Sequence, residues 1–160
     1  NAALSVMRDE QPVGVKGLLL AREGDYENKQ DFFTITLPSG RKLFYPQPFL
    51  GQNNFGKEAL HYYSIGQNTR KWEVTGTYGG KLTENVTQAI ARDCLAESMS
   101  RLAAAGYQIV MHVHDEVVLD VPKEQADLEH VCDIMCQPLP WAPGLLLDAD
   151  GFITDFYKKD

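Results

Sequence analysis

Long hydrophobic runs are missing from this sequence, and cysteines are few. No stretch of the 160 residues approaches the roughly 18 consecutive apolar residues that a membrane span needs. The first residues also lack the charged and then apolar pattern of a secretory signal. The three cysteines, Cys94, Cys132 and Cys136, are odd in number and form no CxxC pair. These absences predict a soluble, intracellular chain with buried, reduced thiols and with no membrane contact, disulfide framework or zinc site.

Positive charge is scarce too, and the net charge of −7 argues at first against a nucleic-acid partner, because phosphates are bound by Lys and Arg. The charge is unevenly distributed. Residues 1–38 carry −2, residues 39–101 carry +3, and residues 102–160 carry −8. A DNA-binding surface beside a carboxylate-rich metal site would give this pattern, and so would an ordinary solvated surface.

The first third of the sequence predicts a helix followed by strands. Ala3, Leu4 and Met7 have helical spacing, which predicts a helix over Asn1–Glu10. Residues 13–30 predict two short strands separated by a polar loop from Glu23 to Gln30.

A β-hairpin is predicted from Phe32 to Tyr45, because β-branched and aromatic residues flank the turn Pro38–Arg41. Residues 46–77 are rich in Gly, Asn and Gln with little periodicity. They predict an extended loop with short strands near Leu60–Ile65 and Trp72–Thr75.

The clearest helix is predicted after Gly79-Gly80, with Thr83 as its N-cap and Gly106 as its stop. Its apolar residues follow the i, i+3, i+4 rule. They are Leu82, Val86, Ala89, Ile90, Leu95, Met99 and Leu102.

The last third predicts a second hairpin, from Tyr107–Val113 and Val117–Val121, with acidic residues at its tip. A helix over Lys123–Gln137 and a strand over Leu145–Phe152 follow. The fold class is therefore α+β, an antiparallel sheet with a carboxylate-tipped hairpin, covered by helices on one face. We expect the end of a helix with connecting strands and loops over residues 1–36, and a separate C-terminal region over residues 37–160.

The hairpin tip contains the residues best suited to chemistry. Asp115 and Glu116 offer the hard oxygen ligands that Mg²⁺ prefers, alongside waters and substrate phosphates. A solvated turn is the alternative, yet two-residue hairpin turns favour Asn-Gly or Asp-Gly over Asp-Glu. Strand alternation also predicts that His112 and His114 lie on one face, among apolar residues.

Two stretches of the sequence, TYGGKLTENVTQAIARD (Thr77–Asp93) and HVHDEVVLDVP (His112–Pro122), resemble the family A DNA polymerases, most closely the phage-encoded members. LPSGRKLFY (Leu37–Tyr45) and the ending PLPWAPGLLLDADGF are similar to the C-terminal region of the same enzymes. The resemblance covers roughly residues 35–160. It implies that this chain is the C-terminal part of the palm subdomain of a polymerase, an enzyme of DNA replication.

The resemblance assigns roles to residues of the hairpin and of the long helix. Asp115 matches the palm aspartate that binds the catalytic metals, Glu116 the adjacent acidic residue, and His114 the residue that approaches the primer end. Gln88 matches a helix glutamine that reaches the minor groove, where every base pair offers hydrogen-bond acceptors. Arg92 and Lys81 are candidate phosphate contacts, and each is also compatible with a merely solvated side chain.

A complete two-metal site also needs a second aspartate and basic residues for the incoming triphosphate, and residues 1–76 contain no motif for either. The predicted helix begins at Asn1 without an N-cap residue, which also suggests that the chain is part of a longer protein. We therefore expect the last part of a longer enzyme, whose missing N-terminal palm and fingers, primer–template DNA, deoxynucleoside triphosphate and two Mg²⁺ ions complete the site. The isolated chain is predicted to be inactive and not to hold Mg²⁺ stably. The parent is expected in the cytoplasm of a bacterium or a phage-infected cell.

Two other classes of function stay open. The basic stretch 39–101 also suits a fragment or split subunit that binds DNA or a partner chain without catalysis of its own. A stand-alone metal-dependent hydrolase would use His112, His114, Asp115 and Glu116, although the sequence shows no second carboxylate cluster with ligand spacing.

Overall fold

The computed structural model describes residues 2–158 as an α+β protein with three antiparallel sheets. The chain forms two compact units, residues 1–88 and residues 89–160. The elements of the described part are α1 (Ala2–Asp9), β1 (Val13–Val15), β2 (Leu18–Asp25), β3 (Gln30–Thr36), β4 (Lys42–Pro46), β5 (Phe49–Gln52), β6 (Glu58–Ile65), β7 (Trp72–Thr77), α2 (Gly79–Ala104), β8 (Gln108–Val113), β9 (Glu116–Asp120) and α3 (Leu128–Met135).

The first unit is built on a four-stranded meander in the order β1-β2-β3-β4. Alternate residues of β3 point to opposite faces, and Phe33 and Ile35 are buried to 0% and 2% exposure. Val6 of α1 is fully buried as well. The hairpin predicted over Phe32–Tyr45 is found as β3 and β4, with the pair Phe33↔Tyr45 in register.

The polar loop predicted over Glu23–Gln30 is too long at both ends, because β2 continues to Asp25 and β3 begins at Gln30. Charged residues are accommodated here by pairing across strands: Arg22 donates to Asp31 at 2.8 Å, and Lys42 to Glu23 at 2.7 Å. Gly24 has a φ of +104°, and a Cβ there would lie 2.4 Å from the carbonyl oxygen of Gln30. The strand therefore tolerates only glycine at this close approach.

A second sheet of three strands, β5-β6-β7, replaces much of the extended loop predicted over residues 46–77. The strands expected near Leu60–Ile65 and Trp72–Thr75 are present, while β5 was missed. Leu60 is 2% exposed, and the ring of Tyr62 packs edge-on against that of Tyr45 at 5.0 Å.

The helix α2 has the predicted buried stripe, but its start differs from the prediction. Thr83 is not the N-cap: the helix begins at Gly79, and the Thr83 hydroxyl donates to the Gly79 carbonyl oxygen at 2.9 Å from within the helix. Its end is as predicted, because Gly106 has a φ of +91° and the amide of Tyr107 returns to the carbonyl of Leu102. Leu82, Val86, Ala89, Leu95 and Leu102 are buried.

In the second unit, β8 and β9 form a sheet of their own rather than part of one large sheet. The helix predicted over Lys123–Gln137 is shorter: a 3-10 turn occupies Lys123–Gln125, and α3 begins only after Asp127, whose side chain accepts from the amide of His130. The strand predicted over Leu145–Phe152 is wrong, because that segment has no regular structure and pairs with no strand of the described chain.

Three further expectations can be placed on the structure. The boundary expected between residues 36 and 37 lies at the end of β3 and stays a prediction. The cysteines are free thiols as expected, but all three are half-buried rather than buried. Burial raises the pKa of the Cys94 and Cys132 thiols, which disfavours the reactive thiolate. Within residues 2–158, no helix is long and apolar enough to cross a membrane.

Candidate functional site

The tip of the β8–β9 hairpin is a two-residue turn. Val113 and Glu116 are the last paired residues, so that His114 and Asp115 alone form the loop. His114 has a φ of +52°, in the left-handed region that such a turn requires. The turn therefore adopts the tight geometry despite lacking the preferred Asn-Gly or Asp-Gly sequence.

The predicted catalytic residues are brought together at this tip. The side chains of His114 and Asp115 are exposed, and Glu116, the first residue of β9, is half-buried. His114 belongs to the turn rather than to β8, so strand alternation does not extend to it from His112. The expectation that both histidines lie on one strand face is not supported by this backbone.

The strand β8 carries a second feature that affects the hairpin. Its register shifts between Ile109 and Met111, which leaves Val110 as an extra residue facing no partner. A bulge of this kind increases the local twist and redirects the side chains that follow. The bulge therefore influences how the strand leads into the turn.

Arg92 of α2 meets the same hairpin through His112. The Arg92 Nη2 lies 3.4 Å from the His112 Nε2. Because a guanidinium only donates, the ring nitrogen can serve only as the acceptor in this long contact. A metal ion at Nε2 would have to displace this contact and sit beside a cation. The geometry therefore disfavours the hydrolase alternative.

Gln88 is exposed on α2, and its side-chain amide makes no hydrogen bond to any residue of the described chain. Lys81, two helical turns earlier, is also exposed, but its ammonium contacts the Glu84 carboxylate at 3.0 Å, and Glu84 raises the pKa of Lys81. Gln88 therefore has a free donor for DNA, whereas Lys81 would have to break its ion pair with Glu84 in order to bind a phosphate.

Asn85 was not singled out by the sequence, although it anchors this helix. Its Nδ2 donates to the hydroxyl of Tyr45 at 3.1 Å. Tyr45 is 4% exposed, and burial raises the pKa of its hydroxyl. In the sequence, the one sign of this role was that Asn85 lies beside the predicted buried stripe of the helix. The contact fixes the helix segment that carries Gln88 against β4.

The hairpin tip offers carboxylate oxygens of the kind that Mg²⁺ prefers. Asp115 is an exposed carboxylate with Glu116 beside it, and Mg²⁺ takes one or two protein carboxylates while keeping several waters. Across residues 2–158 no group of three or more His, Cys, Asp or Glu side chains is arranged to enclose an ion. Asp115 thus fits the role of one ligand among several, not of a complete site.

Comparison with known proteins gives one named relative. The chain is 48% identical over 161 residues to a DNA polymerase of Bacillus phage SP02, an alignment that covers 99% of this chain and 24% of the phage protein. No protein-family model and no solved structure matches the chain. The chain is therefore homologous to a segment of a DNA polymerase and spans about a quarter of the length of that relative.

Proposed function

We propose that this chain is the C-terminal palm segment of a family A DNA-directed DNA polymerase, and that it contributes Asp115 to a two-metal site for nucleotidyl transfer. The observation that carries the proposal is the hairpin tip, where a tight turn between two strands presents the Asp115 carboxylate to solvent. Homology to a segment of a phage DNA polymerase supports the class of reaction.

Each residue near the tip has a role that its surroundings allow. Asp115 would hold Mg²⁺, with Glu116 assisting less directly. Bound Mg²⁺ supplies charge neutralisation at the triphosphate and a lowered pKa at the attacking hydroxyl. His114, exposed beside Asp115, is free to approach a primer end. Gln88 offers an unpaired amide donor to minor-groove acceptors without reading sequence.

The second unit supports the idea that further protein completes the site. Several of its large apolar side chains are exposed, including Val110 at 51%, Leu146 at 93% and Phe156 at 70%. Exposed apolar side chains that lie together on a protein mark an interface. We infer that the remaining palm and the fingers cover these side chains and add the second aspartate and the triphosphate-binding residues. Primer–template DNA and deoxynucleoside triphosphate are then the substrates, in the cytoplasm of a bacterium or a phage-infected cell.

A segment exchange tests the proposal. In a chimera, this chain replaces the matching quarter of the phage SP02 polymerase, and primer extension is measured with Mg²⁺. We expect template-dependent extension by the chimera and none by the isolated chain. A chimera that folds and binds primer–template but incorporates no nucleotide would contradict the proposal, as would extension by the isolated chain.

A split subunit is the second candidate, favoured by the unpaired amide of Gln88 within the basic stretch 39–101. Here the chain is added in trans to the phage polymerase that lacks its matching quarter. Extension restored by mixing, at a rate close to that of the chimera, would show that the segment acts as a separate subunit. Extension by the covalent chimera alone would exclude that arrangement.

A further inference from the structure

The outward face of the β5-β6-β7 sheet carries four aromatic rings. The register places Phe49 opposite His61, and Tyr63 beside Trp72 on the same face. The Phe49 and His61 rings are stacked at 5.4 Å with an interplanar angle of 21°, and the Tyr63 and Trp72 rings are stacked at 6.1 Å with the same angle. Phe49 also lies 6.3 Å from Tyr63, which joins the two pairs. We call these four residues the aromatic face.

Two glycines make room for the ring of His61. A Cβ at Gly51 would lie 2.9 Å from His61 Nδ1, and a Cβ at Gly76 would lie 3.2 Å from His61 Nε2. The imidazole therefore packs directly against the backbone of β5 and β7 at the two glycines. Its Nδ1 lies 3.2 Å from the Ala59 carbonyl oxygen. This arrangement holds the ring in one orientation before any ligand arrives, which lowers the entropic cost of binding.

The charge around the aromatic face is suited to an anion. By strand alternation Glu58 and Glu73 point to the other face of the sheet, where Glu58 pairs with Arg8 and Glu73 accepts from Thr69. Among the residues of β5, β6 and β7, no acidic side chain shares the face with the rings. Next to Trp72, the exposed Arg70 and Lys71 make no ion pair with any residue between 2 and 158.

We propose that the aromatic face binds single-stranded nucleic acid, with bases stacked on the Phe49, Tyr63 and Trp72 rings and phosphates held by Arg70 and Lys71. Stacked, partly exposed rings beside unpaired cations are the features that bind unpaired strands without sequence preference. A protein partner could also pack against the rings. The two unpaired cations and the lack of carboxylates on this face favour a negatively charged partner, as nucleic acid is. Binding here requires neither Asp115 nor a metal ion, so its test is independent of the polymerase proposal.

Equilibrium binding of the 160-residue chain to a fluorescein-labelled oligothymidylate tests the proposal, with an abasic oligonucleotide of the same length and charge as the ligand control. We expect the oligothymidylate to bind more tightly, and Trp72→Ala to weaken its binding by on the order of tenfold. Trp72→Phe should recover most of the loss because it keeps a ring. Phe44→Ala is the matched control, since Phe44 is 56% exposed and Trp72 55%, and it should leave binding unchanged.

Tryptophan fluorescence then reports stacking directly. The chain has two tryptophans, Trp72 and Trp141, so a Trp141→Phe variant leaves Trp72 as the single reporter. We expect the oligothymidylate, but not the abasic strand, to quench it. Replacing Arg70 and Lys71 together with Gln should reduce the dependence of affinity on salt, because two phosphate contacts are lost.

Three results would overturn the proposal. Equal affinity for the abasic strand would mean that only charge is recognised. Affinity for a duplex equal to that for the single strand would exclude stacking, because duplex bases are already stacked. A chain that forms a dimer in sedimentation, and loses it on Trp72→Ala, would show that a second copy covers the aromatic face.

Discussion

Residues 1–88 and residues 89–160 differ in how they bury apolar side chains. The first unit encloses Val6, Phe33 and Ile35 at 2% exposure or less, between α1 and two sheets. The second buries Leu102 and Leu139 to a similar degree, but its described part has only five buried apolar side chains, against thirteen in that of the first. Both units leave large apolar side chains exposed, and those of the second unit are Val110, Met111, Leu145, Leu146, Phe152, Ile153, Phe156 and Tyr157.

This difference indicates a division of labour. The first unit has a core of its own and holds the Gln88 segment of α2 against β4 through Asn85 and Tyr45. The second unit presents Asp115 on a two-stranded sheet that has few partners within the described chain. Under the proposed function, the remaining polymerase completes both the core and the metal site of the second unit.

The largest effect is expected in the core of the first unit. Phe33→Ala removes a fully buried ring and should lower the free energy of unfolding by about 3–5 kcal/mol, because it leaves a cavity. Denaturant unfolding monitored by circular dichroism measures the change. A loss below about 1 kcal/mol would mean that the core of the first unit is not closed around this ring.

A smaller effect is expected at the start of α3 in the second unit. Asp127→Ala removes the oxygen that accepts from the His130 amide at 3.0 Å, and should destabilise this helix by about 1 kcal/mol. Asp127→Asn keeps an acceptor and is the matched control. Amide hydrogen exchange of α3 distinguishes the two, and equal protection in both variants would show that the cap is unimportant.

The Glu23–Lys42 pair gives the first unit a pH dependence. The hydrogen bond from Lys42 lowers the pKa of Glu23 in the folded state. The pair therefore stabilises the fold fully above the ordinary glutamate pKa of about 4.3, and the stabilisation is lost as the pH falls from there through the lowered pKa. Both side chains are more than a third exposed, so the effect should be less than about 1 kcal/mol. Glu23→Gln should weaken the pH dependence of the unfolding free energy between these two pKa values. An unchanged pH profile would show that the pair does not contribute to stability.

The smallest effect on stability is expected at the most exposed apolar residue of the second unit. Leu146 is 93% exposed, so Leu146→Ser should change the unfolding free energy by less than about 0.5 kcal/mol. Self-association measured by light scattering should fall, because less apolar surface is available. A large loss of stability would show instead that this segment packs onto the chain in solution.

Periodic segments were predictable, and segments defined by distant contacts were not. The hairpin of β3 and β4 and the buried stripe of α2 follow from residue alternation and spacing alone. By contrast, β5 is short and contains Gly51, whose missing Cβ is explained only by the His61 ring on the neighbouring strand. The segment Leu145–Phe152 has strand-like composition but no strand to pair with, and composition does not reveal a partner.

The candidate site divides in the same way. The hairpin and the identity of the residues at its tip were predicted from a local sequence motif. The contact of Arg92 with His112 joins residues twenty positions apart and could not be read from the sequence. The positive φ of His114 also went unpredicted, because residues other than glycine are uncommon in that conformation, although His is enriched among those that adopt it.

The most direct test of the central claim is the rate of single-nucleotide incorporation by the chimera with Asp115→Asn, compared with Asp120→Asn on the same hairpin. Both aspartates are exposed, and only Asp115 lies in the turn. We expect Asp115→Asn to lower the rate by more than about 100-fold, beyond what loss of an outer-shell partner of a metal costs, with primer–template affinity unchanged. Asp120→Asn should retain nearly the full rate. Equal rates for the two variants would contradict the assignment of Asp115 as a metal ligand.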